Sequence, residues 1–191
     1  IYPADTNSYH TVSDRITKNL QRATTMKHFL GAFLVSIIVL ASTTAQAAEG
    51  TVSFEVMKPQ TALDAAQAAL EHCRGMGFQV GVAVVDRFGG VQVALRDQLA
   101  GARTINTAIG KARTAVGFRT NTSDMVPVTA AGQPAAGIRN LPGVIIVGGG
   151  VIIEAAGSLV GGIGVSGAPG GDMDDICAFA GIEAIEDLLE F

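Results

Sequence analysis

The chain has 191 residues, with 13 Lys+Arg against 17 Asp+Glu and a formal net charge of −4. This acidic balance argues against nucleic acid or an anionic membrane surface as the main partner. There is no tryptophan and there are 24 glycines, so the core must consist of small and aliphatic side chains that let backbones approach closely.

The beginning of the chain has the pattern of an export signal. A lysine follows Met26, an uncharged apolar stretch occupies residues 29–41, and Ala-Gln-Ala at residues 45–47 is the small-x-small motif that signal peptidase recognises. The apolar stretch is shorter than the roughly 20 residues that a membrane-spanning helix needs. We therefore expect export to the periplasm or the external medium, with no membrane span after the signal is removed.

These boundaries divide the chain into three parts. We predict that residues 1–25 are an upstream leader outside the native protein, that residues 26–47 are the signal peptide, and that residues 48–191 form a single domain. That last part has a usual length for one domain.

Hydrophobic periodicity predicts the order of elements in the domain. Helical spacing is followed by a β-hairpin, a second helix, a polar region with a short helix or loop, a set of antiparallel strands and a last helix; the predicted ranges are 61–76, 79–86, 91–96, 101–118, 123–131, 144–147, 151–155, 159–166 and 172–189. Strict alternation of strand and helix is absent, so a parallel sheet is not expected. The order predicts an α+β fold, an antiparallel sheet covered by helices in a layer sandwich.

Two cysteines, Cys73 and Cys177, lie in predicted helices. In an exported protein they could form one disulfide. They could equally be two buried helical thiols, since free cysteine is among the most buried residue types. The sequence alone leaves both alternatives open.

The residue pattern offers little for enzymatic catalysis. His72 is the sole histidine of residues 48–191, and no Ser-His-Asp or Cys-His relay is apparent. The glycine-rich segments 148–150 and 161–171 do not match a phosphate-binding loop, so turns and close packing explain them better. Acidic residues at 172, 174 and 175 are expected to complement the dipole of the last helix. Without a nucleophile–base pair, a non-enzymatic function is favoured.

Four segments carry a family resemblance in chain order: VVDRFGG at 84–90, KARTA at 111–115, LVGGIGVSGA at 159–168, and the Asp-rich helix start at 172–182. Together they resemble the haem-binding GlcG/HbpS family, which includes the C-terminal domain of PduO-type proteins. The resemblance implies a profilin-like or PAS-like α/β sandwich that assembles into large homo-oligomers, octamers in secreted members. It also implies haem as the ligand, with haem degradation in some members; in this chain we expect any haem degradation to be slow and non-classical.

If haem is bound, the iron needs an axial donor. His72 is the candidate metal ligand, because small alanines at positions 65 and 68 leave room beside its imidazole. Arg103, Lys111 and Arg113 are the candidate partners of the haem propionates. A histidine at a subunit contact and a solvated basic face would explain the same residues without a ligand.

Two functions follow from these residues. The first is an exported haem-binding protein that sequesters, carries or senses haem. The second is a small-molecule enzyme or accessory subunit, with a carboxylate or other anion bound at a face formed by Arg103, Lys111 and the turn before Asp172. A homo-oligomer is expected in either case.

Overall fold

The computed structural model describes residues 50–189. From Phe54 onward they form one compact unit, while residues 50–53 belong to a separate one. The predicted leader and signal peptide lie outside the described residues. None of the helices within residues 50–189 combines the length and the apolar composition of a membrane-spanning segment.

Four α-helices and four β-strands make up the compact unit. In chain order they are α1 (Pro59–Gly75), β1 (Gly81–Asp86), β2 (Val91–Arg96), α2 (Thr104–Phe118), α3 (Thr122–Val128), β3 (Gly150–Ala155), β4 (Ser158–Ser166) and α4 (Gly171–Glu183). A short 3-10 turn at Ala136–Asn140 lies between α3 and β3, and another at Glu186–Leu188 follows α4.

The strands form one antiparallel sheet in the order β2-β1-β4-β3. In its centre, Val82 of β1 lies opposite Val165 of β4, and Val84 lies opposite Ile163. These side chains share one face because residues two apart in a strand point the same way. The α+β sandwich predicted from the sequence is therefore confirmed.

The main core lies between that face and two helices, α1 and α4. Fully buried alanines of α1, such as Ala65 and Ala69, pack with Val82 and Ile163. The opposite face of the sheet is covered by α2, where Val85 contacts a separate small cluster around Ala112 and Val116. The sheet thus separates α1 from α2.

Glycines in β4 let α2 approach the sheet. A Cβ built at Gly164 would overlap the carbonyl oxygen of Ala108, and one at Gly162 would lie 2.7 Å from a methyl of Val116. Neither position has room for a side chain. The glycine-rich strand therefore sets the distance between α2 and the sheet.

Two sequence predictions were wrong in detail. The segment 144–147, predicted as a strand, has no regular structure. Its backbone is bonded to a helix side chain instead, because the N–H of Ile145 donates to Oγ1 of Thr114 at 2.9 Å. The last helix ends at Glu183 rather than near residue 189, and a 3-10 turn follows it.

A disulfide joins α1 to α4. Cys73 and Cys177 are bonded, with Cα atoms 5.5 Å apart and a sequence separation of 104. Both side chains are fully buried. Of the two alternatives that the sequence left open, the structure has the disulfide.

Candidate ligand-binding site

Arg113 lies at the junction of two surface cavities on the outer side of α2. Its side chain is exposed, and its Nε donates to the carbonyl oxygen of Gly89 at 2.9 Å. Both cavities are lined by Arg113 and Gly117. Among the four sequence-predicted site residues, Arg113 is the one that lines a cavity described here.

The first cavity, the helix cavity, lies between α2 and residues 142–145 and has a volume of about 630 Å³. Its lining combines the apolar side chains of Ile109, Phe118, Val144 and Ile145 with nearly as much polar surface, to which Asn106, Arg113 and Thr114 contribute. A cavity of this volume lies within the size range of small-molecule sites.

Thr114 holds the wall of the helix cavity in place. Its hydroxyl donates to the carbonyl oxygen of Gly110 at 2.8 Å and accepts the N–H of Ile145 at 2.9 Å. A side chain at position 110 would overlap that of Ile145, so the glycine permits the close approach. The threonine hydroxyl is thus already used by the backbone on both sides.

The second cavity, the arginine cavity, lies at the end of α2 and has a volume of about 440 Å³. Three guanidinium groups line it, those of Arg87, Arg113 and Arg119, together with Phe54, Phe88 and Leu159. The guanidinium carbon of Arg87 lies 3.9 Å from the ring centroid of Phe54 and 5.7 Å from that of Phe88. These distances fall in the range of cation–π contacts.

Lys111 does not lie on a basic surface. Its side chain is 2% exposed, and its Nζ donates to Oδ2 of Asp174 at 2.7 Å and to the carbonyl oxygen of Val165 at 2.9 Å. The prediction that Arg103 and Lys111 form an exposed anion-binding face is therefore wrong, because Lys111 is buried. A lysine is buried at such a place because a carboxylate compensates its charge.

Two aspartates at the start of α4 serve this buried region. Burial raises the pKa of the Asp174 carboxyl above its ordinary value, although the hydrogen bond and the charge of Lys111 act in the opposite direction. Burial also raises the pKa of Asp175, whose carboxylate accepts the N–H of Gly149. Asp174 in addition accepts the N–H of Ala168 at 3.0 Å. These residues have specific partners beyond the expected complement to the helix dipole.

The remaining two predicted residues lie apart from the cavities. His72 is exposed in the last turn of α1, on the other side of the sheet from α2. Arg103 is exposed directly before α2, and its carbonyl oxygen accepts hydrogen bonds from Thr107. His72 and Arg113 are therefore not brought together. The haem roles of all four residues stay predictions.

Sequence reasoning missed two residues of the arginine cavity, Arg87 and Arg119. Arg87 lies in the turn before Gly89, and Arg119 follows the last residue of α2. Arg87 belongs to the VVDRFGG segment that carries the family resemblance, and Arg119 directly follows a predicted helix, but neither position indicated a shared cavity. Their convergence depends on β1 lying beside α2, which no local pattern shows.

The donors around the two cavities suit an organic anion better than a metal ion. Neither lining contains His, Cys, Met or Tyr. Within residues 50–189, no group of three or more His, Cys, Asp or Glu side chains could hold a metal ion. The arginines, by contrast, offer forked donors for carboxylates.

The fold and these cavities define a small α+β sandwich protein with cationic surface pockets. A family model described as "Haem degrading protein HbpS-like" matches residues 57–183. The chain belongs to this HbpS-like, haem-related family. No curated protein matches the chain.

Solved structures agree with this assignment. A double mutant of HbpS from Streptomyces reticuli is 36% identical, with a TM-score of 0.68 over 76% of this chain and 97% of that one. A PduOC complex with haem is 28% identical, with a TM-score of 0.64 over 69% of this chain and 96% of that one. The Klebsiella pneumoniae protein ORFY is 21% identical, with a TM-score of 0.70 over 74% of this chain and 98% of that one, and supports the fold alone.

Proposed function

We propose that this chain is an exported haem-binding protein that sequesters, carries or senses haem. Family membership and the similarity to a haem complex support haem as the ligand. The observation that carries the location is the position of Arg113 beside the apolar side chains of the helix cavity. The porphyrin would contact the apolar wall and a propionate would pair with Arg113.

The side chains that line the helix cavity suit the porphyrin ring of haem better than its iron. Ile109, Val144 and Ile145 provide apolar surface, and Arg113 provides the cation. The oxygen of Thr114 already takes part in two hydrogen bonds, and no nitrogen or sulfur side chain of the types that bind haem iron strongly lines this cavity. An axial role for His72 would instead place haem at α1, across the sheet.

Haem titration followed by absorbance separates the two locations. We expect a saturable Soret shift at stoichiometric haem in the wild-type protein. Arg113→Gln should weaken binding about 10- to 100-fold, since a hydrogen bond to a charged group contributes about 1.5–3 kcal/mol. If haem occupies the helix cavity, His72→Ala should keep the wild-type spectrum and affinity, whereas iron ligation by His72 predicts loss of the Soret shift in that variant. Lys58→Gln serves as the control for loss of one exposed cation.

The outcomes discriminate clearly. If His72→Ala removes the Soret shift and Arg113→Gln does not, haem binds at α1 and the helix cavity is excluded. If the wild-type response is flat and non-saturating, haem is removed from the function altogether.

Export is supported by the disulfide. Cys73–Cys177 would be kept reduced in most cytosolic compartments and persists in the periplasm or outside the cell. Fractionation of cells that produce the full chain, with detection of the processed N-terminus, tests this. A chain found uncleaved in the cytoplasm would contradict it.

A homo-oligomer is also part of the proposal. On α4, Ile176 and Phe179 are one helical turn apart and are 43% and 50% exposed. Apolar side chains at this spacing form a stripe suited to contact with another subunit. Light scattering coupled to size exclusion measures the mass, and replacing both residues with Ser should reduce it; a monomeric wild-type protein would refute the assembly.

A further inference from the structure

We propose that the arginine cavity, which lies next to the helix cavity, is a second ligand site that binds a small organic anion carrying two or more carboxylates on an apolar, ring-sized body. The cavity has about 440 Å³ for such a ligand. The site adjoins the helix cavity and shares Arg113 and Gly117 with it, whereas Arg87 and Arg119 line the arginine cavity alone.

The first argument is uncompensated charge. Within residues 50–189, the ion pairs are Arg74–Asp97 and Lys111–Asp174, so none of the three arginines of the cavity has a carboxylate partner. The arginine cavity contains no Asp or Glu in its lining. In a chain with a net charge of −4, three such cations in one concave surface concentrate positive potential where an anion can bind.

The nearest acidic residue in sequence is engaged elsewhere. Asp86 ends β1 directly before Arg87, but its Oδ1 accepts the N–H groups of Phe88 at 2.8 Å and Gly90 at 2.9 Å. The carboxylate thereby closes the turn that carries Arg87 and Phe88. It shapes the cavity wall and, within residues 50–189, forms no ion pair with the three arginines.

The second argument is preorganisation. The guanidinium of Arg87 lies 3.9 Å from the ring centroid of Phe54, and Nε of Arg113 is bonded to the backbone at Gly89. Two of the three cations are therefore held by contacts that leave terminal N–H groups for a ligand. Donors fixed before binding lose less entropy when the ligand arrives.

The third argument is the backbone at Arg119. This residue has φ +53° and ψ +42°, the left-handed conformation that glycine adopts most easily at the end of a helix. An arginine there carries a conformational cost, and such costs concentrate at ligand sites. Its long side chain lines the cavity, which is something a glycine could not provide.

The walls set the class of anion. Phe88, Val116 and Leu159 contribute apolar surface, so an inorganic ion would leave part of the cavity unused. Arginine forks recognise carboxylates in two-bond geometry. A ring with several carboxylates meets both requirements.

Isothermal titration with benzene-1,3,5-tricarboxylate tests the proposal, with benzoate and inorganic phosphate as comparison probes. We expect one tricarboxylate per chain, with benzoate and phosphate each at least about 10-fold weaker. Arg119→Gln and Arg87→Gln should each weaken the tricarboxylate about 10- to 100-fold. Lys58→Gln, which removes one exposed cation elsewhere, should leave the affinity unchanged.

Arg119→Gln is the decisive variant because the Arg119 side chain has no ion-pair partner in the described residues to lose. Its far-UV spectrum and melting temperature should match wild type. Haem affinity should also be unchanged; if it falls as much as tricarboxylate affinity does, the cavity belongs to the haem site and the separate-site proposal is overturned. Absence of saturable heat, or equal affinity for phosphate and tricarboxylate, overturns it as well.

Discussion

Removal of the Cys73–Cys177 disulfide should strongly destabilise the domain. The bond closes a loop with 104 residues of sequence separation. The chain-entropy relation for a loop of roughly 100 residues gives about 4.7 kcal/mol at 25 °C, because the crosslink restricts the unfolded state. That is a large part of the roughly 5–15 kcal/mol by which domains are stable. For a domain of this size it corresponds to a fall in Tm of roughly 10–15 °C.

The double variant Cys73→Ala/Cys177→Ala is the right perturbation. Both positions are fully buried and belong to the main core with other small residues. Alanine introduces no unpaired polar group, so the change reports the crosslink more cleanly than serine would. Urea unfolding followed by circular dichroism should give the free energy of unfolding for the oxidised wild type, the reduced wild type and the variant.

Reduced wild type and the variant should agree and should both lie about 3–5 kcal/mol below the oxidised protein. The variant should not respond to reductant, and denatured wild-type protein without reductant should show no titratable thiol. A difference below about 1 kcal/mol between oxidised and reduced wild type would refute the reasoning from loop entropy.

Three further predictions concern the buried polar and glycine positions. Gly164→Ala should lower the free energy of unfolding by about 3 kcal/mol or more, because the added Cβ would overlap the carbonyl oxygen of Ala108. Gly75→Ala is the control and should change stability little, since a Cβ at Gly75 meets open space. Equal effects of the two substitutions would contradict the close packing of α2 on β4. Lys111→Met should lower the free energy of unfolding by about 3–5 kcal/mol at neutral pH, because it leaves Asp174 buried without its cation. The double variant Lys111→Met/Asp174→Asn should recover much of this loss in the same urea assay. Burial raises the folded-state pKa of Asp174, so the native state holds this proton more tightly than the unfolded state, and this group's contribution to stability should fall as the pH rises above the unfolded-state pKa of about 4. Asp174→Asn should flatten that slope, and identical slopes in the two proteins would count against this reasoning.

The fold was predictable because its elements have clear local signals. Val91–Arg96 alternates along a strand as expected, and the helix predicted over 101–118 is observed as Thr104–Phe118. The strand predicted at 144–147 was wrong because the β-branched composition of this segment is the same whether it joins a sheet or lies along a helix. Only the contact between Thr114 and Ile145, 31 residues apart, decides between these possibilities.

The candidate site was less predictable because its groups come together across the fold. Helical spacing placed Lys111 with Arg103 on a polar face, yet its partner Asp174 lies 63 residues later in the chain. Arg87 and Arg119 are likewise adjacent only after β1 and α2 have packed. Residue type identified the cations, whereas tertiary contacts determined which one is buried and which ones line a cavity.

The geometry of α2 gives its two central cations opposite tasks. Lys111 and Arg113 are two residues apart, which on a helix turns their side chains about 200° from each other. Lys111 points into the interior and pairs with Asp174. Arg113 lines both cavities, and its Nε donates to the carbonyl oxygen of Gly89. Removal of Lys111 should therefore lower the free energy of unfolding, and Arg113→Lys should keep stability but weaken anions that need a forked donor. Loss of ligand affinity without loss of stability at position 113, with the reverse at position 111, would distinguish a binding surface from a structural charge.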